Sequence, residues 1–138
     1  MRKFKVMLTV CLVLLLTAQV AFGAVSSTPD IELMAENYST ASATISLSGS
    51  KAEVTGKIVG RAGKTTKTSI HLYLQQYKNG SWVNVDDWTS TGATVARQLS
   101  KTKTVTKGYK YRAKAVCAAY VGSDKETVIK YSESINYN

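Results

Sequence analysis

From Ala43 onward, apolar side chains recur at every second position, in short runs that end at glycine, asparagine, aspartate or serine. A period of two sends successive side chains to opposite faces of an extended chain, so the pattern predicts strands with one buried face. Ala43 to Leu47 alternates, and Ser48-Gly49-Ser50 turns the chain. Lys51 to Val59 alternates again, with Ala52, Val54 and Ile58 on one face and Glu53, Thr55 and Lys57 on the other. Past a basic loop, Gly60-Arg61-Ala62-Gly63-Lys64-Thr65, Ile70, Leu72 and Leu74 share a face opposite His71, Tyr73, Gln75 and Tyr77.

Asn79-Gly80 between two alternating runs is a hairpin signal, because both residues tolerate the positive φ of a type I′ turn. A two-residue turn sets Tyr77 opposite Trp82 and Leu74 opposite Val85. Continued strictly, that register points Asp87 inward beside Leu72 and Trp88 outward. A bulge near Asp86-Asp87 would return Trp88 to the core. Ala93 to Leu99 and a segment around Thr102 to Thr106 read as further strands, and Thr127 to Tyr137 as the last. Before that last strand runs a long one, Tyr109 to Ala119. It faces Tyr109, Tyr111, Ala113, Ala115, Cys117 and Ala119 one way and Lys110, Arg112, Lys114 and Val116 the other.

Seven or eight short strands with no helical period between them predict an all-β, antiparallel β-sandwich of the immunoglobulin or fibronectin III kind. A small closed β-barrel is the alternative architecture that periodicity leaves open. In such sandwiches a tyrosine at the start of the penultimate strand locks a corner, and in Lys107 to Ala115 either Tyr109 or Tyr111 fits that part.

The N-terminus reads differently. Arg2, Lys3 and Lys5 precede an apolar run from Val6 to Leu16, then Ala21-Phe22-Gly23. This is the pattern of a secretory signal peptide cleaved between Gly23 and Ala24, and the run is short of the roughly 20 residues that span a bilayer. Residues 1–23 are therefore expected to be a signal peptide, 24–40 a linker of low order, and 41–138 the sandwich domain. A secreted, extracellular protein with no membrane span in its mature part is the expectation. Loss of the signal removes three of the 18 Lys+Arg and none of the 9 Asp+Glu, leaving 15 against 9, a net +6. Such a surface favours polyanions, though a modest positive charge also serves solubility. Cys11 leaves with the signal, so Cys117 has no intramolecular partner and reads as a small apolar core residue.

The segments Leu72-Tyr73-Leu74-Gln75, Asn79 to Trp88 and Val105 to Arg112 resemble a family of small secreted proteins of unknown function from Gram-positive bacteria. The resemblance covers roughly residues 37 to 137 and consists of a hairpin with two tryptophans followed by a Gly-Tyr-x-Tyr-Arg strand. It implies a shape and brings no activity or site residue. Where the family often has a histidine downstream of that strand motif, this chain has Cys117.

Catalytic signatures are sparse. His71 is the single histidine and is expected to face outward; a pairing with Cys117 is opposed by their opposite strand phases. Asp86 and Asp87 are neighbours in a strand and would not face each other without a bulge. There is no His/Cys cluster or calcium-spaced acidic loop, and no cofactor or metal is expected. Gly60 to Thr65 lacks the first glycine of a phosphate loop, since Ile58 stands there. Asn37-Tyr38-Ser39 and Asn79-Gly80-Ser81 match glycosylation sequons, but a bacterial signal peptide implies no glycans.

The candidate site is a surface. In an immunoglobulin-type sandwich the strand from Tyr109 pairs with the one from Ser69 to Tyr77, so outward Lys110, Arg112 and Lys114 fall beside outward Tyr73, Tyr77 and Trp82. Aromatic planes next to cationic heads suit an anionic wall polymer, a charged glycan or a surface protein. Equally, lysine and arginine stems commonly cover cross-strand aromatics on a solvated sheet with no ligand. The expected function is a non-enzymatic binding module that does not target nucleic acid. A small hydrolase or toxin-like effector using His71 or Cys117 is the alternative.

Overall fold

The computed structural model describes residues 35–138; the expected signal peptide and the linker as far as residue 34 lie outside the described residues. Eight strands form in chain order: β1 (Tyr38–Ser48), β2 (Lys51–Gly60), β3 (Lys67–Lys78), β4 (Ser81–Gly92), β5 (Ala96–Thr104), β6 (Tyr109–Val121), β7 (Asp124–Tyr131) and β8 (Ile135–Tyr137). They make two sheets, β1-β2-β5 and β4-β3-β6-β7, with β8 also on β6. Every pairing is antiparallel. The fold is the β-sandwich of fibronectin III type: β5 crosses to the smaller sheet while β4 stays beside β3. No pairing closes one sheet onto the other among the described residues, which rules out the barrel.

The two-residue alternation does what it predicts. Ala52, Val54 and Ile58 of β2 meet Ile70, Leu72 and Leu74 of β3 and Ala113, Ala115, Cys117 and Ala119 of β6 in one core, all fully enclosed. The sheets come close at Gly56, where a Cβ would lie 3.0 Å from Ile70 Cγ2 and 3.1 Å from the Ala115 Cβ. A glycine there and the alanines of β6 are thus one packing solution, small residues facing branched ones.

The hairpin turns as expected, with Asn79 and Gly80 at φ 52° and 81° and Tyr77 opposite Trp82. The bulge is present but lies one residue earlier than Asp86-Asp87. Gln75 pairs with Asn84 and Leu74 with Asp86, so Val85 is the extra residue. Leu74 is consequently opposite Asp86 and not Val85. Trp88 comes opposite Leu72 and packs on the core, and Asp87 is carried outward opposite Tyr73.

Three boundaries differ from the sequence reading. Residues 35–40 of the expected linker belong to the domain: β1 starts at Tyr38, and Asn37 is buried with its amide donating to Glu126 Oε2 at 2.6 Å. The basic loop holds this entry, Arg61 donating to the Ala35 carbonyl at 2.7 Å and Lys64 to that of Glu36 at 3.1 Å. Second, the two segments expected across Ala93 to Thr106 are one strand, because pairing with β2 runs unbroken from Ala96 to Thr104. Third, the last strand is split. Between Tyr111↔Ile135 and Lys114↔Tyr131 the outer strand has one residue more than β6, and Ser132 takes up the slack by accepting from the Ala113 amide at 2.8 Å.

The corner tyrosine is Tyr111, not Tyr109. Its hydroxyl donates to the Thr106 carbonyl at 2.7 Å and accepts from the Thr106 amide at 3.1 Å, tying the β5–β6 connection to the base of β6.

Candidate functional site

The outer face of the five-stranded sheet is ordered in rows by the pairing of β4, β3, β6 and β7. Tyr77 lies opposite Lys110, Gln75 opposite Arg112, and Tyr73 opposite Lys114. Trp82 joins the first row and Asp87 and Tyr131 the third. All six residues expected from the sequence, Tyr73, Tyr77, Trp82, Lys110, Arg112 and Lys114, therefore share one face.

Their contacts are specific. The Arg112 guanidinium lies 4.2 Å from the centroid of Trp82 and 4.2 Å from that of Tyr131, between the two rings. Its Nε donates to Gln75 Oε1 at 2.9 Å, and Gln75 Nε2 donates in turn to Asn84 Oδ1 at 2.9 Å. Lys110 sits 5.9 Å from the Tyr77 ring and Lys114 5.3 Å from that of Tyr73. At the far end of the face Tyr120 has Lys67 at 4.0 Å and Lys125 at 5.8 Å. A cation over a ring face is held by the ring's quadrupole, at roughly 0.5–1 kcal/mol when exposed.

This geometry changes the weight of the parts. The aromatics do not form an open stacking platform, because cations cover their faces and Tyr77 and Trp82 lean on each other at 5.2 Å. The rings hold the cations, and the cations are what the face presents. Among the described residues Asp87 bonds His71 and Asp86 pairs with Lys103, and no carboxylate oxygen lies within 4.0 Å of the charged heads of Lys110, Arg112 or Lys114.

His71 faces outward, as expected, and Cys117 lies in the core on the opposite side of the sheet. The bulge gives His71 a partner that alternation hides. Asp87 Oδ2 is 2.5 Å from His71 Nε2, and Tyr73 Oη is 2.9 Å from His71 Nδ1. In the neutral ring the carboxylate fixes the proton on Nε2, and Nδ1 accepts from the phenol. Both ring nitrogens are thereby engaged, on an open face where His71 and Asp87 side chains are 38% and 53% exposed. Burial pushes the Cys117 thiol up to about 11, away from the reactive thiolate. Asp86 points to the interior phase and bonds Lys103 of the other sheet at 2.7 Å. That bond, and the Asp87 amide donating to Asp86 Oδ1, hold its carboxyl below the ordinary value. No cluster of three or more His, Cys, Asp or Glu able to hold a metal occurs among the described residues.

Sequence reasoning missed Tyr131, Gln75 and Asn84 as supports of Arg112, the Lys67–Tyr120–Lys125 cluster, and Asp87 beside His71. The alternation in β3 and β6 marks Gln75, Lys67 and Tyr120 as outward, but their cross-strand neighbours on β4 and β7 depend on register.

The chain is thus a fibronectin III-like sandwich with one cationic, aromatic-backed sheet face. No family model matches it, and no curated protein matches it. Solved structures with some likeness to it include the following two. The solution structure of R. palustris CsgH has 13% identity and a TM-score of 0.38, covering 67% of this chain and 90% of that one. A crystal structure of a protein from Archaeoglobus fulgidus has 12% identity and a TM-score of 0.38, covering 73% and 98%. Likeness at this level carries no argument about function.

Proposed function

We propose that the protein is a secreted, non-enzymatic binding module whose five-stranded sheet face takes an anionic polymer of the cell surface. The observation that carries this is the central strand: Lys110, Arg112 and Lys114 stand two residues apart on β6, with no carboxylate partner among the described residues. Alternate residues on a strand are about 6.6–6.8 Å apart, so the three cationic residues make a stripe that spans about 13 Å along β6. A flexible chain with regularly spaced phosphates or carboxylates fits such a stripe better than a single small anion does. Since the ring faces are occupied by cations, charge and not sugar stacking supplies the attraction. The signal-peptide pattern expected in residues 1–23, and the resemblance to small secreted Gram-positive proteins, agree with this location.

The test is retention of the purified protein on cell walls with and without their anionic polymers. Three charges displacing counterions give a log K versus log salt slope of roughly −2 to −3, so a fourfold rise in salt weakens binding by roughly 15- to 60-fold. Lys110→Ala/Arg112→Ala/Lys114→Ala should abolish retention. Retention that ignores both salt and the polymers sinks the reading.

A hydrolase is the second reading, favoured by one observation, the Asp87–His71–Tyr73 chain. It requires turnover of wall fragments or esters that disappears in His71→Ala.

A further inference from the structure

A sandwich with two open sheets exposes strand edges, and each unpaired edge is a template for another strand unless something blocks it. Three edges here are blocked. On β5 the interior-facing phase carries Arg97, Lys101 and Lys103; Arg97 Nε donates to the Thr68 carbonyl at 3.2 Å and Lys103 pairs with Asp86. On β4 the Val85 bulge and inward Asp86 break the ladder. On β7 Glu126 and Lys130 occupy the interior phase, and an irregularity separates it from the three-residue β8.

The fourth edge has no such device. β1 is eleven residues, YSTASATISLS, with no charge, proline or glycine, and among the described residues it pairs with β2 alone. Its register is irregular only between Tyr38 and Thr40. Ala41, Ala43, Ile45 and Leu47 lie on its core side but are only partly buried, while Ala52 and Val54 beside them on β2 are fully enclosed. Among the described residues no strand pairs with the outer edge of residues 40–48, and the aliphatic side chains there stay partly exposed.

We propose that a second copy of this chain covers it, β1 pairing with β1 antiparallel about a two-fold axis at Thr44. The pattern is self-complementary in that register. On the core side Ala41 meets Leu47 and Ala43 meets Ile45, small against large at every position. On the outer side Thr40 meets Ser48, Ser42 meets Ser46 and Thr44 meets Thr44, hydroxyl against hydroxyl. Charge does not oppose it there: two basic copies, each at a net +6 once the expected signal is lost, approach at least cost along a strand with no charged side chain. The result is an isologous dimer with one six-stranded sheet, β5-β2-β1-β1-β2-β5. Because β1 and the cationic face belong to different sheets, this inference stands or falls independently of the polymer-binding reading.

Sedimentation velocity on the purified protein from about 1 to 100 µM tests it. A reversible dimer is expected. Thr44→Lys places two ammonium groups opposite each other at the axis and should weaken dimerisation roughly fivefold. Ser42→Glu/Ser46→Lys creates two opposite-charge pairs in this register only, and should tighten it by a similar factor, an effect lost in high salt. In the double variant the new charges at 42 and 46 also complement their β2 neighbours, Lys57 and Glu53, while the lysine at 44 lies beside Thr55, so the fold should be retained in both variants, as circular dichroism checks. A monomer throughout the range, including one whose own N-terminal residues cover the edge, overturns the proposal. So does a dimer indifferent to these substitutions.

Discussion

Tyr111→Phe removes one oxygen from a side chain that is 1% exposed, and the structure says what that oxygen holds. It donates to the Thr106 carbonyl at 2.7 Å, and accepts from the Thr106 amide at 3.1 Å and from Gln76 Nε2 at 3.0 Å. The ring stays, so no cavity of any size opens and the loss is confined to polar terms. Each bond contributes about 1 kcal/mol net, and a donor or acceptor stranded in the interior costs about 1–3. Thr106 is exposed and its groups regain water, which places the total at about 2–3 kcal/mol. Urea unfolding followed by tryptophan fluorescence reads this as a midpoint shift of roughly 1–2 M at unchanged m-value. Tyr109→Phe is the control, since no hydrogen bond of the Tyr109 hydroxyl is found among the described residues; it should cost under about 0.5 kcal/mol. The reasoning is refuted if Tyr111→Phe is as mild as the control, or if the two tyrosines cost the same. Because Tyr111 sits between Lys110 and Arg112, loosening this corner should also blur the cationic stripe without removing a charge.

Deletion of Val85, a change in mid-strand, should leave the fold intact, with a stability change inside the roughly 0.5–3 kcal/mol of ordinary single changes. The missing residue is the unpaired one, so Gln75–Asn84 and Leu74–Asp86 become consecutive pairs and Trp88 stays on the core; a red-shifted Trp88 or an unfolded product would contradict this. Cys117 gives a pH dependence. Its folded pKa, about 11, lies above the ordinary 9.0, so the folded state holds the proton more tightly. Its contribution is complete below pH 9 and is lost as pH rises through 11, by about 3 kcal/mol in all. The measurement that isolates the thiol is the difference between wild type and Cys117→Ala, whose stability curves should converge from pH 9 to 11. Parallel curves would count against the burial argument.

The strands and their inner faces were legible because a period of two needs only local information. Ile70, Leu72 and Leu74, or Ala113, Ala115 and Cys117, declare their side of the sheet whatever lies opposite. The Asn79-Gly80 turn was legible for the same reason, since positive φ at two adjacent residues is a demand those residue types meet locally. That Trp88 needed a bulge also followed from alternation alone. Its position did not: whether Val85 or Asp86 is the extra residue depends on which pairing leaves Asp86 within reach of Lys103 on the other sheet. Only the tertiary structure could choose between Tyr109 and Tyr111 as the corner, because each occupies the same phase and the choice rests on where the Thr106 backbone returns.

The candidate site divides in the same way. The outward phase of Lys110, Arg112, Lys114, Tyr73, Tyr77 and Trp82 is a property of the sequence. That Tyr131 closes over Arg112 from β7, and that Asp87 reaches His71, are properties of register across strands, which the two bulges reset by one residue each. A one-residue shift exchanges the faces of everything beyond it, so local pattern determines which residues a strand presents, while the folded ladder alone decides which of them meet.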